Sequence, residues 1–87
     1  MKLIDKYEDK GINRHTVWLF EENERKAGVD HNHDVLGGGY YCFPYDKDHW
    51  SHGEGYDTAW YLSLEEAKKV IQKYLSGEIQ EIPTKKV

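Results

Sequence analysis

The chain has 87 residues, 12 lysines and arginines against 16 acids, and 38% hydrophobic and 14% aromatic content. That length allows one domain with a modest core, and a formal net charge of −4 argues against a general nucleic-acid binder, which needs clustered Lys and Arg to displace counterions from phosphates. A single cysteine excludes an internal disulfide and a multi-cysteine zinc site.

No apolar run is long enough for a signal peptide or a membrane span, so a soluble, cytoplasmic protein is expected. Leu3, Ile4 and Tyr7 open the patterned part. Their spacing fits either a strand or a short helix over residues 2–9. Asp9-Lys10-Gly11 follows as a turn. Arg14–Glu21 is rich in β-branched and aromatic residues and reads as a strand that pairs with 3–8 in a hairpin. Strand alternation puts His15, Val17 and Leu19 on one face and Thr16, Trp18 and Phe20 on the other. Both faces are apolar at the centre, which predicts a central strand or one covered by a helix.

Glu22–Gly28 is polar and reads as a turn or exposed loop. Val29–Val35 fits a short edge strand, although its Asp and Asn residues are poor strand formers. Gly37-Gly38-Gly39 breaks the chain and lets Tyr40–Tyr45 pair back. Pro44 marks an edge or the end of that strand. Asp46–Tyr56 is a long polar loop, and Asp57–Leu62 a further strand. Ser63-Leu64-Glu65-Glu66 is a capping box. The helix it starts carries Leu64, Ala67, Val70, Ile71, Tyr74 and Leu75 on one face, with Lys68, Lys69, Gln72 and Lys73 toward water. Gly77 ends it, Glu78–Ile82 adds a short strand or docks along the sheet, and 83–87 is a frayed tail.

The predicted fold is α+β: one domain over 1–82, with a small antiparallel sheet of three to five strands and one C-terminal amphipathic helix packed on it. The run Tyr7…Gly11, an aromatic strand, Gly39-Tyr40-Tyr41, and a strand entering Ser63-Leu64-Glu65-Glu66-Ala67 resembles the small β-β-β-α proteins common in bacteria and their phages. That group has no single function, so the resemblance speaks to fold alone.

The unusual chemistry lies between Asp30 and Asp57. That stretch holds four of the five histidines, the only cysteine and six aromatics. Six acids stand there against Lys47 alone, a local charge of −5. Three functions compete for it. In the first, Tyr40, Tyr45, Trp50 and Tyr56, interleaved with Asp46, Asp48, Glu54 and Asp57, form a binding surface. Aromatics anchor interfaces and acids steer a basic partner toward them. This predicts a non-enzymatic interaction module with a protein partner of basic surface and no direct contact with nucleic acid or membrane. One concrete form is a phage or mobile-element inhibitor of a host nucleic-acid-binding protein. In the second, His31, His33, His49, His52 and Asp30 supply ligands for zinc or another divalent metal. In the third, the aromatics form a pocket for a small ligand.

Asp30-His31-Asn32-His33, followed by glycines and Cys42, is similar to the metal-binding strand of HNH-type nucleases. The resemblance implies Asp30 as a metal ligand and His31 as the general base. The chain departs from that family in having one cysteine, no His or Asn on its helix and no basic surface for DNA. Gly37-Gly38-Gly39 precedes a strand and lacks a following Lys-Ser/Thr, which excludes a phosphate-binding P-loop. Cys42 between Tyr41 and Phe43 reads as a small buried hydrophobe rather than a nucleophile. The interaction module is therefore the preferred reading.

Overall fold

The computed structural model describes residues 1–10, 14–33, 39–45 and 60–83. They form the strands β1 (Lys2–Asp9), β2 (His15–Glu22), β3 (Arg25–Asn32), β4 (Tyr40–Pro44) and β5 (Trp60–Tyr61), followed by helix α1 (Leu64–Leu75). The strands pair in sequence order as one antiparallel sheet. The helix packs on one face, so the fold is α+β, with five strands.

Residues 2–9 take the strand option. An isolated helix of that length is marginal in water, whereas pairing with β2 satisfies the backbone of both segments at once. Tyr7 lies opposite Val17, and the register shifts between Leu3 and Asp5, where Ile4 forms a bulge. β1 is an edge strand, and bulges of this kind discourage further pairing at edges.

The β2–β3 connection is much shorter than the polar composition predicts. Asn23 and Glu24 alone make the turn, with φ of 54° and 65°. Two consecutive positive φ values belong to a type I′ hairpin, whose twist matches that of the flanking strands. Arg25 to Gly28, expected as loop, are already strand. β3 is also central rather than at the edge, with β2 on one side and β4 on the other. The reason is tertiary. Ala27 and Val29 face the helix and are fully buried, and that burial outweighs the poor strand propensity of Asp30 and Asn32.

β4 forms where expected, and Pro44 ends it. The next residue, Tyr45, donates its N–H to the Lys26 carbonyl at 3.0 Å. β5 is only two residues long, and the first three residues of the predicted 57–62 strand lie outside the described residues.

Helix α1 starts at the expected cap. Ser63 is extended (φ −141°) and its Oγ accepts from the Glu66 N–H at 3.2 Å. The Glu66 carboxylate reaches back one residue further than a standard capping box, to the Leu62 N–H at 3.3 Å. Ala67, Ile71 and Leu75 are buried, and Leu64, Val70 and Tyr74 flank them. Gln72, expected in water, is half-buried and donates to Glu22 at 3.1 Å, tying the helix to the end of β2. Gly77 closes the helix with φ 85°, a region L side chains rarely adopt. Beyond it Ile82 docks into the core without forming a strand, and Pro83 is exposed.

Alternation along β2 divides the core in two. Phe20 joins Ala27, Val29, Cys42, Ala67, Ile71, Leu75 and Ile82 under the helix. Val17, Leu19 and Phe43 cluster on the other face with Tyr7 and Tyr45. The apolar character of both faces of β2 is thus explained by two cores rather than one. No helix among the described residues is long and apolar enough to cross a membrane.

Candidate functional site

The polar chemistry of the described residues gathers at one end of the sheet, where β1 finishes, β2 starts and β3 finishes. Strand alternation decides what meets there. In β3, Asp30 lies opposite Val17 and Tyr41 on the helix-free face. His31 lies opposite Thr16 and Tyr40 on the helix face.

On the helix-free face Asp30 is 8% exposed. A polar group that deep needs hydrogen-bond partners, and His15 supplies one, with Nδ1 2.8 Å from Oδ1. A carboxylate oxygen accepts, so His15 Nδ1 holds the hydrogen in this pair. When His15 is protonated the contact is an ion pair bridging β2 and β3.

On the helix face His31 stacks on Tyr40, with ring centroids 4.0 Å apart and planes within 8°. Its Nδ1 lies 3.2 Å from the Gly39 carbonyl. Because a carbonyl only accepts, Nδ1 carries the hydrogen, and neutral His31 keeps its lone pair on Nε2. The His33 ring meets His31 edge-on at 4.5 Å. His33 Nε2 is 2.6 Å from the Thr16 hydroxyl, and its backbone N–H donates to the Arg14 carbonyl at 2.8 Å. Trp18 lies 6.2 Å from Tyr40, and the Lys6 ammonium sits 5.9 Å above Trp18. The result is a row of rings held by stacking and by hydrogen bonds to the backbone and Thr16.

Between the strand ends lies a hollow of about 310 Å³, lined by Glu8, Lys10, Arg14, His15, Thr16 and His33.

The structure sorts the predicted site residues as follows. His31 and His33 come together, as their shared strand face requires. Asp30 does not join them, since it points the other way and takes His15. Asp30 and His31, which the nuclease resemblance pairs as ligand and base, lie on opposite faces of β3. Among the described residues no group of three or more His, Cys, Asp or Glu is arranged to hold a metal ion. Tyr40 belongs to the ring row. Tyr45 packs against Val17, Leu19 and Phe43 on the opposite face, with Lys26 5.8 Å from its ring. Asp46, Asp48, His49, Trp50, His52, Glu54, Tyr56 and Asp57 lie outside the described residues.

Sequence reasoning missed His15, Thr16, Arg14, Lys10 and Glu8 as site residues. Alternation had put His15 and Thr16 on opposite faces of a strand, but only the β2–β3 register places them beside Asp30 and His33. That register depends on the two-residue turn at Asn23-Glu24, which composition hides.

Cys42 is fully buried, with its Sγ 3.5 Å from the Ala67 carbonyl. Burial pushes its thiol up to about 12. In the native protein it should resist thiol reagents at neutral pH and react fully only after unfolding, which a disulfide-exchange dye assay with and without denaturant would show. Rapid native labelling would contradict its burial. The linkage has a definite sign. With the folded value raised above the ordinary thiol value of 9.0, the thiol's contribution to stability is complete below about pH 9 and falls as pH rises toward 12.

Compared with known proteins, the chain matches no family model, no curated protein and no solved structure.

Proposed function

We propose that the protein is a non-enzymatic interaction module that recognises a macromolecular partner through the aromatic and acidic stretch 30–57 and the strands that frame it. The observation that carries this reading is the aromatic pair at the β4–β5 edge. Tyr41 and Trp60 are cross-strand partners on the helix-free face, and Trp60 is 42% exposed. A tryptophan left open on a sheet keeps a large apolar ring in water, and such rings are the commonest anchors of protein interfaces. Trp60 and Tyr45 bracket the segment 46–59, which adds Trp50 and Tyr56 and most of the local negative charge. A basic protein surface is the natural complement: acids speed the encounter and aromatics hold the complex. In its most specific form that surface is the nucleic-acid groove of another protein, which this module would block.

The test is to capture a partner from lysate, identify it, and rebuild the complex from purified components. Trp60→Ala should fold cooperatively and bind about tenfold more weakly or worse. Wild-type affinity should drop as salt rises past about 0.1 M, where the Debye length falls near 10 Å. A reconstituted complex indifferent to Trp60, Trp50 and Tyr56 and to salt would falsify the reading. A metal-dependent role is favoured by one observation, the adjacent His31 and His33 rings. Zinc titration followed by thermal unfolding decides it: no rise in Tm with zinc removes that alternative.

A further inference from the structure

We infer that the corner where β5 runs into α1 docks a short basic segment of the partner. That segment presents an apolar side chain to Trp60 and Leu62, and flanking Arg or Lys to Glu65 and Glu66. The inference rests on the reading of Trp60 as an interface anchor and adds the place and chemistry of the contact.

Three observations lead there. First, apolar surface is left open at this corner. Trp60 is 42% and Leu62 75% exposed, the latter the highest value among the described large hydrophobic residues. Tyr61, between them, packs against the core under the helix. Leu62 lies in the link between β5 and α1 and belongs to neither described core cluster.

Second, both anchors are set in place before any partner arrives. A Cβ built on Gly39 would stand 3.1 Å from both Cβ and Cε3 of Trp60. The indole therefore lies directly against the Gly39 backbone. The Leu62 N–H donates to the Glu66 carboxylate at 3.3 Å, which ties the link to the first turn of the helix. Anchors already ordered lower the cost of binding.

Third, the charge around the corner has one sign. From Asp48 to Ala67 the chain carries five acids and no lysine or arginine. Glu65 and Glu66 occupy the first turn of α1. The Glu65 side chain is 79% exposed, and its neighbour Lys68 stands 3.9 Å away at the limit of an ion pair. An exposed pair of that kind contributes little, so a partner's cation can replace it. An arginine fork matches a carboxylate well, whereas an acidic segment would meet like charge.

The experiment selects binders of the full chain from a display library of random short peptides and measures the enriched peptides, made synthetically, by calorimetry. Enriched peptides should carry an apolar residue flanked by Arg or Lys. Leu62→Ala should weaken them about fivefold or more, as for an interface anchor, while leaving the unfolding midpoint in place. Glu65→Lys should also weaken them and remove much of the salt dependence; it is the independent variant if Leu62→Ala does not fold. Enrichment of peptides without basic residues, or of none, would overturn the inference. So would basic peptides whose affinity survives both substitutions. Self-association of the chain abolished by Leu62→Ala would assign the corner to a second copy instead. A reconstituted partner complex weakened by Trp60→Ala and Trp50→Ala but not by Leu62→Ala or Glu65→Lys would keep the interaction module and remove only this corner.

Discussion

Gly28→Ala should destabilise the protein by about 1–3 kcal/mol, the usual cost of forcing extra volume into a packed core. Elsewhere in a strand the same change would be mildly favourable, because glycine gives up the most conformational entropy on folding. Here the sign reverses. Gly28 sits in β3 opposite Leu19 on β2 and Phe43 on β4. A Cβ built on it would stand 2.4 Å from the tip of the Phe43 ring, 2.8 Å from Leu19 Cδ2 and 2.8 Å from the Trp18 carbonyl oxygen. Leu19 can rotate and Phe43 can shift, but a backbone carbonyl in the middle of a sheet cannot. The added methyl must therefore separate β2 from β3 or open the small core around Val17, Leu19 and Phe43. Gly28→Val should reach or pass the top of that range. Urea unfolding measures it: the midpoint should fall while the m value holds, marking a change of stability and not of the surface exposed. An unchanged midpoint for Gly28→Ala would mean that the helix-free face is loosely packed.

Ile71→Ala should cost about 2–5 kcal/mol, the range for emptying a large aliphatic position in a core. Ile71 is fully buried and sits at the centre of the helix face, between Ala67 and Leu75. Its neighbours Val29 and Cys42 come from the sheet, whose backbone cannot collapse into the gap. A domain of this size has only about 5–15 kcal/mol of stability in all, so the variant should lie close to unfolding at room temperature. Leu62→Ala is the control. Leu62 is 75% exposed, and its loss should stay within about 0.5 kcal/mol. Equal losses for the two leucine and isoleucine changes would show that the helix is not docked through Ile71.

The two substitutions probe opposite sides of one sheet, and the sequence revealed those sides unequally. The helix was legible in detail. Ser63, the apolar run from Leu64 to Leu75 and Gly77 are local signals, each acting within one or two turns of chain, and the cap, the buried face and the positive φ all lie where they predict. β2 was legible for the same kind of reason: its alternating apolar residues announced burial on both faces. β3 was not. Its residues Lys26, Gly28, Asp30 and Asn32 have poor strand propensity, and only packing of Ala27 and Val29 under the helix makes the segment a central strand. Gly28, read alone, looks like the end of a loop. Its actual role is to let Leu19 and Phe43 close over a position where no side chain fits.

The candidate site shows the same division. That histidines cluster after Asp30 is a fact of sequence, and so is the shared face of His31 and His33, since strand alternation has a period of two. Composition also locates the acidic, aromatic stretch. The partners of those side chains are a matter of register. His15 and Asp30 are fifteen residues apart in the chain, and Thr16 and His33 seventeen. A one-residue slip between β2 and β3 would turn every one of them to the opposite face. The two-residue turn at Asn23-Glu24 fixes that register. The sequence by itself determined the helix, the apolar strands and the place where charge and aromatics concentrate, because these depend on neighbours in the chain. The tertiary structure decided which histidine meets which acid and where a hollow forms, because those depend on how distant strands align.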